Sequence, residues 1–182
     1  MLPTQHTFCS HCGSRFAETN WPRACRTCGT FTYRNQVPAV VVLIPVIDRS
    51  RSAEPDGILI IRRGIKPCQG LWAMPGGFME YDESWQHAGA REVEEEARVQ
   101  LDEDALQLDS VRSDEDGVLI IFARSAPMPL ASLKLDTFSP TSEVEAIDVM
   151  WRSNVRPLAF SLHDAVVAEF FEQRAPGDVR HG

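Results

Sequence analysis

No apolar run in this chain approaches the roughly 20 residues that a membrane-spanning helix needs. The opening residues, MLPTQHTFCSHCG, lack both a basic start and an apolar stretch of signal-peptide type, so a cytoplasmic location with no membrane partner is expected. Positive charge is also short. The 182 residues carry a net charge of −8, which argues against a broad nucleic-acid footprint. The deficit is uneven. Residues 1–35 hold Arg15, Arg23, Arg26 and Arg34 against Glu18, a balance of +3 that leaves −11 for the rest. Two parts with different surfaces are the simplest reading. No internal repeat is visible. Hydrophobic residues make up 43%, enough for a core without disulfides.

Cysteine is scarce outside one place. Cys9, Cys12, Cys25 and Cys28 read C-x2-C, twelve residues, C-x2-C, and Cys68 stands apart as a free thiol. Each pair can turn two thiolates toward one tetrahedral ion, and four thiolates close the shell against water or substrate. Gly13 and Gly29 follow the pairs, where such knuckles need a positive φ. So short a segment buries too little apolar area to fold alone, and zinc would supply the missing free energy. Two disulfides are the competing use of these thiols; the absence of export features favours zinc. His11, inside the first pair, could substitute for one cysteine. The ribbon could prop a neighbouring domain or dimer, or bind nucleic acid or a partner.

Beyond the ribbon, β-branched patterning predicts one strand over Val37–Ile47, buried on both faces. A polar turn, Asp48–Gly57, leads to a second strand, Ile58–Arg62, antiparallel to the first. A Gly- and Pro-rich loop covers Arg62–Gly77. Asp82 can cap a helix running to about Ala97. Short strands are expected at Val99–Leu101, Ala105–Arg112, Gly117–Ala126 and Ala146–Trp151, and an amphipathic helix at Ser161–Gln173. The order implies an α/β fold: a mixed sheet with helices on its faces. The domains are a ribbon over 1–35, a main domain over 36–174, and a disordered tail over 175–182.

The expected first helix carries the chemistry. Glu92 and Glu96 are four apart, and Glu95 is three from Glu92, so their carboxylates can converge. Trp85, Ala88, Val93 and Ala97 mark a separate apolar face. Bare like charges repel by about 0.2–0.5 kcal/mol per pair, and a divalent cation reverses that sign. Hard carboxylate oxygens suit Mg²⁺ or Mn²⁺. A solvated acidic face is the alternative; Arg91, able to orient a carboxylate, and the tight Pro75-Gly76-Gly77 turn weigh against it.

The stretch from Gly77 to Val99 resembles the Nudix box, G-x5-E-x7-R-E-U-x-E-E-x-G-U with U aliphatic. Gly77, Glu83, Arg91-Glu92, Val93, Glu95-Glu96 and Val99 fall on its positions, and Arg98 replaces the second glycine. The resemblance implies a Nudix α/β/α sandwich and hydrolysis of a nucleoside diphosphate linked to another moiety. By position it implies Glu92 and Glu96 as main Mg²⁺ ligands, Glu95 as ligand or base, and the Gly76 carbonyl completing the site. Glu83 would hold Arg91. A zinc ribbon before the box is shared by two subfamilies. The NADH pyrophosphatases, linked also to NAD-cap removal from RNA, carry S-Q-P-W-P-F-P-x-S after the box, which is missing here. The FAD/ADP-ribose pyrophosphatases of plant chloroplasts and their bacterial relatives show R-x3-P-x2-G-L-W-x2-P-x-G-F/Y and a late L-A-F. Arg63 to Phe78 and Leu158-Ala159-Phe160 match these, which favours that group and a homodimer.

Arg62, Arg63 and Lys66 could meet phosphate, or be a solvated strand end. Glu143 and Glu145 could supply a further base or metal ligand, and Trp72 either stacks on a base or packs under the box. His6, His87, His163 and His181 show no pairing and receive no role. Arginine at position 98 is expected to alter the turn without disturbing the ligands upstream.

Overall fold

A computed structural model describes residues 7–173. The chain divides into two compact units, Met1–Gln36 and Val37–Gly182. The expected tail, His6 and His181 lie outside the described residues.

The first unit is a ribbon. Its strands β1 (Arg23–Ala24) and β2 (Phe31–Thr32) pair antiparallel, and Phe8 bridges to Arg15. Each CxxC closes a tight turn in which the following glycine N–H donates to a cysteine carbonyl: Gly13 to Cys9 and Gly29 to Cys25. Both glycines have φ near +75°, at 73° and 76°.

The second unit layers two sheets between two helices. The apolar run expected as one strand is broken at Ile44 into β3 (Val37–Leu43) and β4 (Pro45–Ile47), which enter different sheets. In one sheet β3 lies between β7 (Gly76–Phe78) and β9 (Val118–Arg124), with β8 (Gln107–Ser113) outside β9. Pairing is parallel between β3 and β9 and antiparallel elsewhere in that sheet. In the other, β5 (Gly57–Arg63) joins β4, β11 (Val144–Trp151) and the short β6 (Trp72–Ala73), while β10 (Met128–Pro129) borders β4. The expected antiparallel partner of β5 is therefore only the β4 piece.

Alternation along the central strands fills two cores. Val40 and Val42 of β3 and Leu59 and Ile61 of β5 face helix α1 (Trp85–Ala97) through its Ala88, Val93 and Ala97. Val41, Leu43, Ile58 and Ile60 face helix α2 (Ser161–Gln173) through Val166, Val167, Phe170 and Phe171. Each such side chain removed from water contributes about 1.5–3 kcal/mol. This makes the strands apolar on both faces.

Two local expectations differ from the structure. Ser84, not Asp82, caps α1, its hydroxyl accepting from His87 N–H at 3.1 Å. Asp82 instead takes a left-handed turn with φ 65°. Val99–Leu101 pairs with no strand; the segment only carries the chain to a 3-10 turn at Glu103–Ala105.

Candidate active site and metal centres

The buried half of α1 contains Glu92 and Glu96 together with Ala88, Gly89, Val93 and Ala97, so the two glutamates share the docking face rather than lying opposite it. Their exposures are 9% and 6%. β7 makes room for them. Gly76 Cα–H faces the Val40 carbonyl so closely that a Cβ there would lie 2.2 Å from that oxygen, and a Cβ on Gly77 would lie 2.5 Å from Glu92 Oε1. Only glycines let backbone and carboxylates approach this way. The Gly76 N–H donates to Glu96 Oε2 at 2.8 Å.

Burial pushes the Glu96 carboxyl up to about 8, against the hydrogen bond from Gly76 and with help from Glu92 and Glu143; Arg63 opposes the rise. Burial also raises Glu92, although Arg91 beside it acts in the opposite direction. Two desolvated carboxyls whose charged forms lack full compensation are a fit for a hard divalent cation.

Arg91 organises the rim. Its Nε and Nη2 donate to the two oxygens of Glu83 at 2.8 and 3.1 Å, Nη1 to Glu92 Oε1 at 2.8 Å and Glu95 Oε2 at 3.2 Å, and Nη2 to Phe78 O at 3.1 Å. The Arg91 hydrogen bonds hold Glu83 below the usual carboxylate range. Glu95 is exposed and drawn toward Arg91, so the expected convergence of all three carboxylates is reduced to Glu92 and Glu96. One helical step of 100° separates Glu95 from Glu96 and turns it out of the buried face.

The remaining residues divide. Glu143 lies near enough to raise both Glu92 and Glu96, while Glu145 pairs with Arg62 at 3.3 Å. Arg62 also donates to Gly70 O and Arg63 to Pro67 O, and Arg63 lies over the Phe160 ring at 5.2 Å. Lys66 is exposed on the same loop. Trp72 packs against the second core with the Arg156 guanidinium 4.5 Å from its ring centre.

Two histidines given no partner by sequence reasoning have one. His87 Nδ1 meets Glu103 Oε2 at 2.7 Å. His163, buried in α2, accepts from Met74 N–H at 3.2 Å, just ahead of the Pro75-Gly76-Gly77 turn. Burial first, and Arg63 second, lower His163 to about 3, so it stays neutral and keeps its acceptor lone pair. With the Ala159 N–H donating to Trp72 O at 2.7 Å, it ties the start of α2 to the turn that shapes the site. The late L-A-F run was the only sequence signal near this tie.

At the other unit, the four cysteine Sγ atoms lie within 4.8 Å of one another. Cys9 to Cys28 is 3.7 Å and Cys12 to Cys25 is 3.5 Å. A disulfide needs about 2.05 Å, whereas four sulfurs about 2.3 Å from one zinc stand about 3.8 Å apart. The Ser14 hydroxyl lowers Cys12 to about 6, and the Thr30 hydroxyl lowers Cys28, both favouring thiolate. The cluster fits a zinc ribbon; His11 is not part of it.

Buried glutamates on a helix after a double-glycine strand, within an α/β/α sandwich, define a protein class that a family comparison also finds: residues 37–170 match the NUDIX domain, and the chain belongs to the Nudix family. Among curated relatives, it is 35% identical over 98 residues to the NAD-capped RNA hydrolase NudC of Deinococcus radiodurans, covering 53% of this chain and 33% of that one. The match thus spans about a third of that relative's length. The fold is similar to a NUDIX hydrolase from Nitrosomonas europaea, with TM-score 0.66 and 22% identity over 94% of both chains. It is also similar to the NUDIX domain of Shewanella oneidensis NrtR, solved with ADP ribose, with TM-score 0.60 and 19% identity over 78% of this chain and 90% of that one.

Proposed function

We propose that this protein hydrolyses the pyrophosphate bond of an ADP-containing dinucleotide, of FAD or ADP-ribose type, with Mg²⁺ or Mn²⁺. The observation that carries the proposal is the buried Glu92–Glu96 pair against Gly76 and Gly77. Glu92 and Glu96 would hold the cation with the Gly76 carbonyl, while Glu95, exposed and paired with Arg91, would stay at the rim. A divalent cation held there would supply charge neutralisation for the diphosphate and activation of a water for in-line attack. Arg91 and Glu83 hold the ligand helix against β7 through their paired hydrogen bonds. Glu143, close enough to act on both Glu92 and Glu96, would take a proton from water, and Arg62, Arg63 and Lys66 would meet the substrate's phosphates. Glu145, paired with Arg62, orients that cation.

A second reading, cleavage of NADH or of an NAD cap on RNA, is favoured by the 35% identity to NudC. Turnover of FAD, ADP-ribose, NADH, diadenosine polyphosphates and NAD-capped RNA, with Mg²⁺ and Mn²⁺, ranks the two. Glu96→Gln should abolish turnover while the far-ultraviolet circular dichroism stays unchanged. Binding without turnover of any substrate would overturn the hydrolase reading in favour of a nucleotide-sensing module. Zinc on Cys9, Cys12, Cys25 and Cys28, a homodimer and a cytoplasmic location complete the proposal. Among the described residues, no helix is long and apolar enough to cross a membrane.

A further inference from the structure

The ribbon exposes more aromatic surface than a segment of its size needs. Phe8, Phe31 and Tyr33 are 58%, 56% and 59% exposed. Thr32, between the last two, is buried, so exposed, buried and exposed residues alternate along the chain and put both rings on one face. Two residues of extended chain span about 6.7 Å. That is about twice the 3.4 Å rise between bases of a nucleic acid strand, the room one base needs between two flat faces.

Charge accompanies these rings. Arg15 is the bridge partner of Phe8, and Arg34 follows Tyr33. Both arginines are exposed and make no ion pair among the described residues, whereas Arg26 is held by Glu18 and Arg23 lies over the Trp21 ring at 4.2 Å. The two exposed cations belong to the same ribbon as the rings, in a segment of charge +3 on a chain of −8.

We infer that the ribbon, through the face bearing Phe31 and Tyr33 and with its exposed Arg15 and Arg34, binds single-stranded nucleic acid by base stacking and phosphate contact. Stacking rings with interspersed arginines suit a flexible polyanion whose bases are free, and duplex DNA or RNA offers no free base face. This site is independent of the hydrolytic one: it lies on the other unit and requires no turnover.

The test is fluorescence anisotropy of labelled oligouridylate and oligothymidylate, each of about twelve nucleotides, against the full chain with its zinc content measured. Binding is expected at about 50 mM salt, weakening with a log–log slope near −1.4 if two phosphates are contacted. Comparable affinity for both oligomers marks a generic single-strand site; preference for one names its source. Phe31→Ala with Tyr33→Ala should weaken binding on the order of tenfold per ring, with zinc content kept. If that pair loses zinc, Arg15→Glu with Arg34→Glu, at exposed positions, replaces it and should flatten the salt slope. Absence of binding at low salt, equal binding of duplex, or unchanged binding in both variant pairs overturns the inference. So does loss of a dimer by Phe31→Ala with Tyr33→Ala, which would assign the face to a second copy of the chain.

Discussion

The backbone N–H of Gly76 donates to Glu96 Oε2 at 2.8 Å, joining two positions that are twenty residues apart. This bond fixes α1 on β7 at the point where the backbone has no side chain. Gly76→Ala would place a Cβ 2.2 Å from the Val40 carbonyl oxygen, a backbone atom that cannot swing aside. A loss of about 3 kcal/mol or more in urea unfolding is expected, together with loss of turnover. Near-native stability would show that β7 can move away from β3.

Metal-free protein should lose stability as pH rises. The Glu96 carboxyl sits near 8 in the folded chain and near its ordinary value of 4.5 when unfolded. Between these limits the folded state holds more protons, so its stability is full below about pH 4.5 and falls toward pH 8, by at most ~1.4 kcal/mol per pH unit for one proton. Glu92, raised for the same reason, adds in the same direction. Urea unfolding in chelator across that range measures the slope. Glu96→Gln should flatten it, and Mg²⁺ should stabilise more at pH 8 than at pH 6, because the cation needs ionised ligands.

Arg91→Lys is not a conservative change here. Lysine cannot make the paired contact to Glu83 while also reaching Glu92 and Phe78 O. Leaving Glu83 and Glu92 under-compensated should cost about 2–4 kcal/mol. Turnover should fall with it, and Mg²⁺ affinity measured by calorimetry should fall as well. An unchanged unfolding midpoint would mean that Arg91 is a bystander.

Arg98 was expected to alter the turn, and it does not. It adopts φ 58° and ψ 32°, the left-handed cap a glycine would use, with its N–H donating to Glu94 O. The helix-end hydrogen bond outweighs the Cβ strain. Arg98→Gly should therefore stabilise the protein by about 1 kcal/mol, raising Tm by about 2–4 °C, with turnover changed less than twofold. A turnover gain large enough to rescue an inert chain would overturn this.

Zinc removal should unfold only the ribbon. Chelation at neutral pH is expected to erase ribbon signals in an NMR spectrum while amides of β3, β5 and β9 stay dispersed, because the sandwich has its own two cores. Collapse of both units together would show that the sandwich depends on the ribbon.

Several features were set by the sequence alone. The spacing of Cys9, Cys12, Cys25 and Cys28 is local, and each pair turns on its own glycine; the spacing of Glu92 and Glu96 follows from helical period. Long β-branched runs marked strands buried on both faces. Only the tertiary structure decided the rest. Pro45, with no N–H to donate, is a local signal for the break at Ile44, but either half satisfies the same hydrophobic pattern, and only sheet pairing sends them into different sheets. Which carboxylates enter the site depends on the sheet that α1 docks against: Glu92 and Glu96 turn inward, Glu95 does not, and Glu143 arrives from a distant loop. His163 itself has no signature beyond the nearby L-A-F run, since its acceptor role exists only once α2 folds back over Met74. Sequence specifies periodicity and local turns; long-range hydrogen bonds and burial, which set charge and proton affinity, come only with the packed chain.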